Sequence, residues 1–146
     1  MALTLMCKHN KQLHAKGFLF TRNIEDCYNK LVDIMILHRA KMVYLEDNSD
    51  KGLAATQFRK GDKESGRPPF PAVDYHESEN KHIKILAYLY KPWKNIYWAR
   101  DTDPEYLNQI IDYEEGEEPD DCPDSAATLC RIMGEGTEDI LSYYKQ

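Results

Sequence analysis

A chain of 146 residues with 42% apolar and 30% charged side chains can bury a core without metal or disulfide staples, and it reads as one globular domain over 1–146. A net charge of −6 argues against a simple polyanion binder, but eight acids lie between Asp112 and Asp124 with no Lys or Arg among them. The other 133 residues carry 19 basic against 17 acidic side chains, so an acidic pole sits beside a faintly basic body.

Ala2–Cys7 and Leu13–Thr21 are apolar or alternating, and the polar Lys8-His9-Asn10-Lys11 separates them, which predicts a hairpin. Asn23 caps a helix from Ile24 to about His38, with Asp26 three residues on and Cys27, Tyr28, Leu31, Ile34 and Met35 at helical spacing. Lys41–Glu46 is a nearly unbroken apolar run ending in an acid, as expected of a buried strand in a parallel part of a sheet. Glu46 then stands at the carboxyl end of that strand, where open α/β sheets bind ligands. Asp47, Asn48, Asp50 and Gly52 turn into a second short helix containing Leu53, Ala54, Ala55 and Phe58, and Gly61–Pro71 reads as an exposed loop.

A strand over Ala72–His76 comes next. Ile83, Leu86, Ala87 and Tyr90 define a helix opened by Glu79, Asn80 and Lys81 and stopped by Pro92, and Asn95–Trp98 is a short strand. Asp103-Pro104-Glu105 is a cap followed by proline at the first helical position, with Leu107, Ile110 and Ile111 facing inward. The last long helix opens at Asp120-Asp121-Cys122-Pro123-Asp124 and carries Ala126, Leu129, Cys130 and Met133 on one stripe, and Thr137 caps a final turn with Ile140, Leu141 and Tyr144. A hairpin followed by alternating helices and strands is an α/β pattern, with a mixed sheet covered by helices on both faces.

Cys7, Cys27, Cys122 and Cys130 form no C-x-x-C pair and no zinc spacing, which suits reduced, mostly buried thiols of a cytosolic protein. No stretch nears the roughly eighteen apolar residues of a membrane span, so no membrane partner is expected.

Asp121 and Asp124 are three apart, so in a helix both carboxylates leave one face beside its N-terminus. Their plain use is to cap the helix and complement its dipole. Their sharper use is to hold a divalent cation, which relieves the repulsion between them. If the helix packs beside the end of the Glu46 strand, three hard carboxylates suit Mg²⁺ or Mn²⁺. Two such ions about 4 Å apart activate water and stabilise the leaving oxygen in phosphodiester hydrolysis. The plain use of Glu46 is an exposed acid where a strand leaves its sheet.

Three motifs in order carry a resemblance: Tyr44-Leu45-Glu46-Asp47-Asn48 with Gly52, then Asn80-Lys81 with Ile83 and Ile85, then Asp120-Asp121-Cys122-Pro123-Asp124-Ser125-Ala126. Together they resemble the C-terminal nuclease domain of the large terminase subunit of tailed phages, an RNase H-like fold. Gly17-Phe18-Leu19-Phe20-Thr21 is similar to that family's second strand, and the likeness reaches to about Met133. The resemblance implies a metal-dependent endonuclease that cuts concatemeric double-stranded viral DNA during packaging in the cytoplasm of a bacterial host. Its implied partners are the terminase ATPase domain, the small terminase subunit and the portal. By position it implies Glu46, Asp121 and Asp124 as catalytic acids holding Mg²⁺ or Mn²⁺, Asp120 and Asn48 in support behind them, and Lys81 near the DNA path.

The family's first strand opens with a metal-bridging Asp, and Met1–Leu5 resembles the part of that strand beyond the Asp, as in an N-terminally truncated domain. No G-x-x-x-x-G-K-[ST] occurs for a motor ATPase. With fewer negative ligands, the expected outcome is the nuclease fold with weak or no activity in this chain. The alternatives are a non-catalytic RNase H-like module that binds DNA or a packaging partner, and an unrelated protein that docks through its acidic loop over 112–121.

Overall fold

The computed structural model describes residues 1–47 and 52–145, with the side chains of the last helix described as far as Gly134. The order of elements is β1 (Ala2–His9), β2 (Gln12–Leu19), α1 (Ile24–Leu37), β3 (Val43–Glu46), α2 (Leu53–Ser65), β4 (Ala72–Tyr75), α3 (Lys81–Ile85) continued by a π turn (Leu86–Tyr90), a 3₁₀ turn (Trp93–Asn95), β5 (Ile96–Trp98), α4 (Pro104–Ile111) and α5 (Asp121–Lys145). The chain is a mixed α/β protein. Among the described residues the strands group into a three-stranded sheet of order β1-β2-β5 and a separate two-stranded sheet β3-β4, in place of the single sheet expected. Chain contacts divide the molecule into two compact units, one of Met1 with Thr21–Ser78 and one of Ala2–Phe20 with Glu79–Gln146.

In the first unit α1 begins as predicted, with the Asn23 side chain accepting the Asp26 N–H at 3.0 Å. Its buried stripe is Cys27, Tyr28, Leu31, Val32 and Met35. β3 pairs in parallel with β4, Val43 opposite Ala72 and Glu46 opposite Tyr75, so the expectation of a parallel strand holds, but in a sheet of two strands Leu45 alone of β3 is buried. The helix α2 runs further than its sequence pattern suggests. Gly61 through Ser65 are helical rather than loop, because Gly61 is a packing residue: a Cβ there would lie 2.4 Å from the Tyr28 ring. The Tyr28 hydroxyl donates to Asp62, and α2 ends at Gly66 with φ 69°, a left-handed conformation that glycine adopts freely.

In the second unit β1 and β2 form an antiparallel hairpin with His9 opposite Gln12. The connecting Asn10 and Lys11 have φ of 50° and 65°, the two positive values of a type I′ turn, whose twist matches that of the strands. β5 pairs in parallel with β2, Leu13 opposite Ile96. Thr4 and Gly17 are cross-strand partners on the face that meets the helices: Tyr106 of α4 hydrogen-bonds Thr4, and Ser125 of α5 lies 2.8 Å from the same Thr4 oxygen. Ala15, Ile85, Leu89, Ile96, Tyr106, Ile110, Cys122, Ala126, Ala127 and Cys130 form the core there.

Several expected faces are rotated. In α3 and its π turn the buried side chains are Lys84, Ile85 and Leu89, while Ile83 and Leu86 are exposed. The five-residue π turn shifts the register, and Lys84 goes inward because it has a charged partner there. In α4, Tyr106 takes the inward position beside Ile110, and Ile111 is 69% exposed. α5 continues as one helix to Lys145, without the separate final turn expected at Thr137.

Candidate functional site

The first turn of α5 is assembled from several neighbours. Asp120 accepts the Asp124 N–H on its carbonyl at 3.1 Å, and the Gln109 side chain of α4 accepts the Cys122 N–H at 3.4 Å. Pro123, with no N–H of its own, is wholly buried where a donor would lack a partner. Cys122, Ala126 and Cys130 are buried on the opposite stripe, leaving Asp121 exposed and Asp124 half-buried, with 20% of its side chain accessible.

Two lysines from α3 meet these acids. Lys81, the first residue of α3, donates to Asp120 Oδ2 at 3.0 Å. Its helix starts there because the Asn80 side chain accepts the Ile83 N–H at 3.1 Å. Lys84, one turn further on and 1% exposed, sits 2.6 Å from Asp124 Oδ1 and donates to Thr128 Oγ1 at 2.8 Å. Asp124 Oδ1 takes no aligned hydrogen bond, so the contact with Lys84 is an ion pair in which charge outweighs direction. Burial works against the Lys81 charge, but the hydrogen bond to Asp120 and the nearby Asp124, Asp120 and Glu118 carboxylates outweigh it and raise the pKa above 10.5. Tyr113 stands beside this group, its hydroxyl 3.1 Å from His82 Nδ1, and burial followed by Asp120 and Glu115 raises its pKa.

Of the residues singled out in the sequence, Lys81 is brought to Asp120, and Asp121 and Asp124 open the same turn of α5. Glu46 ends β3 in the first unit, half-buried, whereas the aspartates belong to the second. Asn48 lies outside the described residues. Lys84 and Thr128 were missed. The available signal was a threonine four residues after Asp124 on the same helical face, together with a lysine inside an otherwise apolar run.

Among the described residues no three or more His, Cys, Asp or Glu side chains form a group able to hold a metal. Asp121 and Asp124 are hard oxygen donors, and Mg²⁺ is commonly held by one or two carboxylates with the rest of its shell supplied by water, so this turn fits such an ion in kind. Glu105 of α4 and Asp112, Glu114, Glu117 and Glu118 between α4 and α5 line a cleft of about 290 Å³. The cleft is strongly anionic, and the acids around it are solvated. No described helix is long and apolar enough to cross a membrane.

Compared with family models, with curated proteins and with solved structures, the chain gives no match.

Proposed function

We propose that this chain is a nuclease domain of the terminase large-subunit type, RNase H-like in fold, in which Asp121 and Asp124 hold Mg²⁺ or Mn²⁺ for the cutting of double-stranded viral DNA. The observation that carries the reading is the opening turn of α5: Asp121 and Asp124 stand together on one helical turn, with Asp120 and two lysines around them. A bound divalent ion supplies an activated water and a counter-charge for the leaving oxygen. The chain's own part is to hold the carboxylates in place, through the Lys84 ion pair and the Ser125–Thr4 contact, and to offer the half-exposed Lys81 ammonium to a DNA phosphate. On this reading the partners are the packaging ATPase, the small terminase subunit and the portal, in the cytoplasm of a bacterial host.

Plasmid nicking in Mn²⁺ tests the reading, comparing this chain with one extended upstream by a strand that supplies a further Asp. Nicking by the extended chain that disappears in Asp121→Asn and in Asp124→Asn supports it. Nicking by neither chain, or nicking that survives both substitutions, removes the catalytic assignment.

A second reading, a non-catalytic RNase H-like module that binds DNA, is favoured by the pairing of Asp120 with Lys81 and of Asp124 with Lys84, which already neutralises two of the acids. It expects DNA binding that weakens as salt rises, through counterion release, and that is indifferent to Mn²⁺.

A further inference from the structure

We propose that Lys84 is a built-in cation of the acidic turn, whose ammonium occupies the Asp124 carboxylate and sets how strongly this turn holds a divalent ion. The proposal rests on the reading of Asp124 as a metal ligand and deepens it by naming what regulates occupancy there. Lys84 Nζ lies 2.6 Å from Asp124 Oδ1 and 2.8 Å from Thr128 Oγ1, and only 1% of the side chain is exposed. Burying an ammonium so completely is costly, and the Asp124 carboxylate and Thr128 hydroxyl that face it offset that cost. The dependence is mutual, since Asp124 Oδ1 takes no aligned hydrogen bond and the ammonium is its compensation.

Asp124 and Thr128 are four apart on α5 and present one face to Lys84, which fixes the ammonium from two sides. The side chain is among the largest that are fully buried, so swinging out to solvent would open a hole in close-packed surroundings. Lys81 acts in the same sense on Asp120 but is half exposed and can leave. The Lys84 ammonium faces Asp124 and the Lys81 ammonium faces Asp120, so an ion arriving at this turn meets two carboxylates that already have a counter-charge. Of these two ammonium groups, the one at Lys84 is the buried one.

The test measures Mn²⁺ binding by the free-ion resonance in electron spin resonance, on the chain itself and on three variants. Lys84→Met keeps the unbranched stem, one atom shorter, and removes its charge, and it is expected to bind Mn²⁺ about tenfold more tightly than the parent, the lower end of what one charge at this range does to its neighbour. Lys84→Arg keeps the charge and is expected to bind no more tightly than the parent. Asp124→Asn is expected to lose the ion.

Equal affinity in the parent and Lys84→Met, with loss in Asp124→Asn, overturns the role of Lys84 and leaves Asp124 a ligand. Undiminished binding by Asp124→Asn removes the ligand assignment and the proposal with it, and absence of binding in both the parent and Lys84→Met does the same. Should Lys84→Met fail to fold, ¹⁵N resonances of the lysine side chains are followed in the parent during a Mg²⁺ titration. The largest displacement is expected at Lys84 Nζ. Saturation with Mg²⁺ that leaves that resonance unmoved overturns the proposal.

Discussion

The ring of Tyr106 occupies the space that any side chain on Gly17 would need: a Cβ built on Gly17 lies 2.4 Å from the ring carbon Cδ1. The ring cannot yield easily. Tyr106 is wholly buried, its hydroxyl is bonded to Thr4, and its ring lies 5.5 Å from that of Trp98. Gly17→Ala should therefore lower stability by about 2–3 kcal/mol, the upper part of the range for overpacking a filled core. Urea unfolding reads the loss, and Tyr106→Leu combined with Gly17→Ala should recover part of it. An unchanged midpoint in Gly17→Ala contradicts the close approach.

Gly61 poses the same question with the opposite local bias. In an open helix, alanine is favoured over glycine by about 1 kcal/mol. Here a Cβ would lie 2.4 Å from the Tyr28 ring, which is buried and anchored by its hydroxyl to Asp62. Packing decides the sign, so Gly61→Ala should destabilise by about 1–2 kcal/mol. A stabilised variant would mean that the helix ends before this contact forms.

The hairpin turn offers a gain. Lys11 holds φ at 65°, where a residue with a Cβ is penalised by about 1–2 kcal/mol. Lys11→Gly removes that penalty, loses some of it to chain entropy, and should raise stability by about 0.5–1 kcal/mol. Lys11→Val should lower it. Thermal melting of the two variants checks the order, and Val melting above Gly would exclude the I′ turn.

Thiol chemistry separates the cysteines. Burial pushes Cys130 up to about 12, and burial together with Asp121 does the same for Cys122, whereas Cys7 is exposed. At pH 8 a disulfide reagent should label Cys7 rapidly and the buried thiols only as the chain opens. Cys7→Ser should abolish the fast phase.

The same shifts give a pH dependence. The folded values lie above the ordinary 9.0, so the stabilisation is complete below pH 9 and is lost between pH 9 and about 12, as the unfolded chain releases protons that the folded chain retains. Lys81, raised above 10.5, acts in the same direction at higher pH. Urea midpoints should fall above pH 9, and Cys130→Ala should fall less steeply than the parent. A midpoint constant from pH 8 to 11 contradicts the burial of these thiols.

Local chemistry was readable because it is settled within one turn of chain. Asn23, Asn80 and Asp103 each accept the backbone N–H that a cap should take, from Asp26, Ile83 and Glu105. The hairpin, the parallel strand ending at Glu46 and the opening of α5 at Asp121 come from patterns equally short. Asp121 and Asp124 share a turn by helical geometry alone.

Other features were beyond reach of any window along the chain. Gly61 reads as a helix breaker until Tyr28 is beside it, and Lys84 reads as a solvated lysine until Asp124 and Thr128 face it. The inward side of the 81–90 segment is set by that buried charge and the π turn, not by the spacing of Ile83, Leu86 and Tyr90.

By itself the amino-acid sequence determined where most helices and strands start, which acids open α5 and that a lysine begins α3, since capping and periodicity act over a few residues. Only the tertiary structure decided that the acids are matched by Lys81 and Lys84 and that Gly17 and Gly61 are packing sites. The physical reason is range: an ion pair or a ring seated on a glycine joins segments far apart in the chain, 44 positions for Lys84 and Thr128, and the energy of that contact appears only once both are folded.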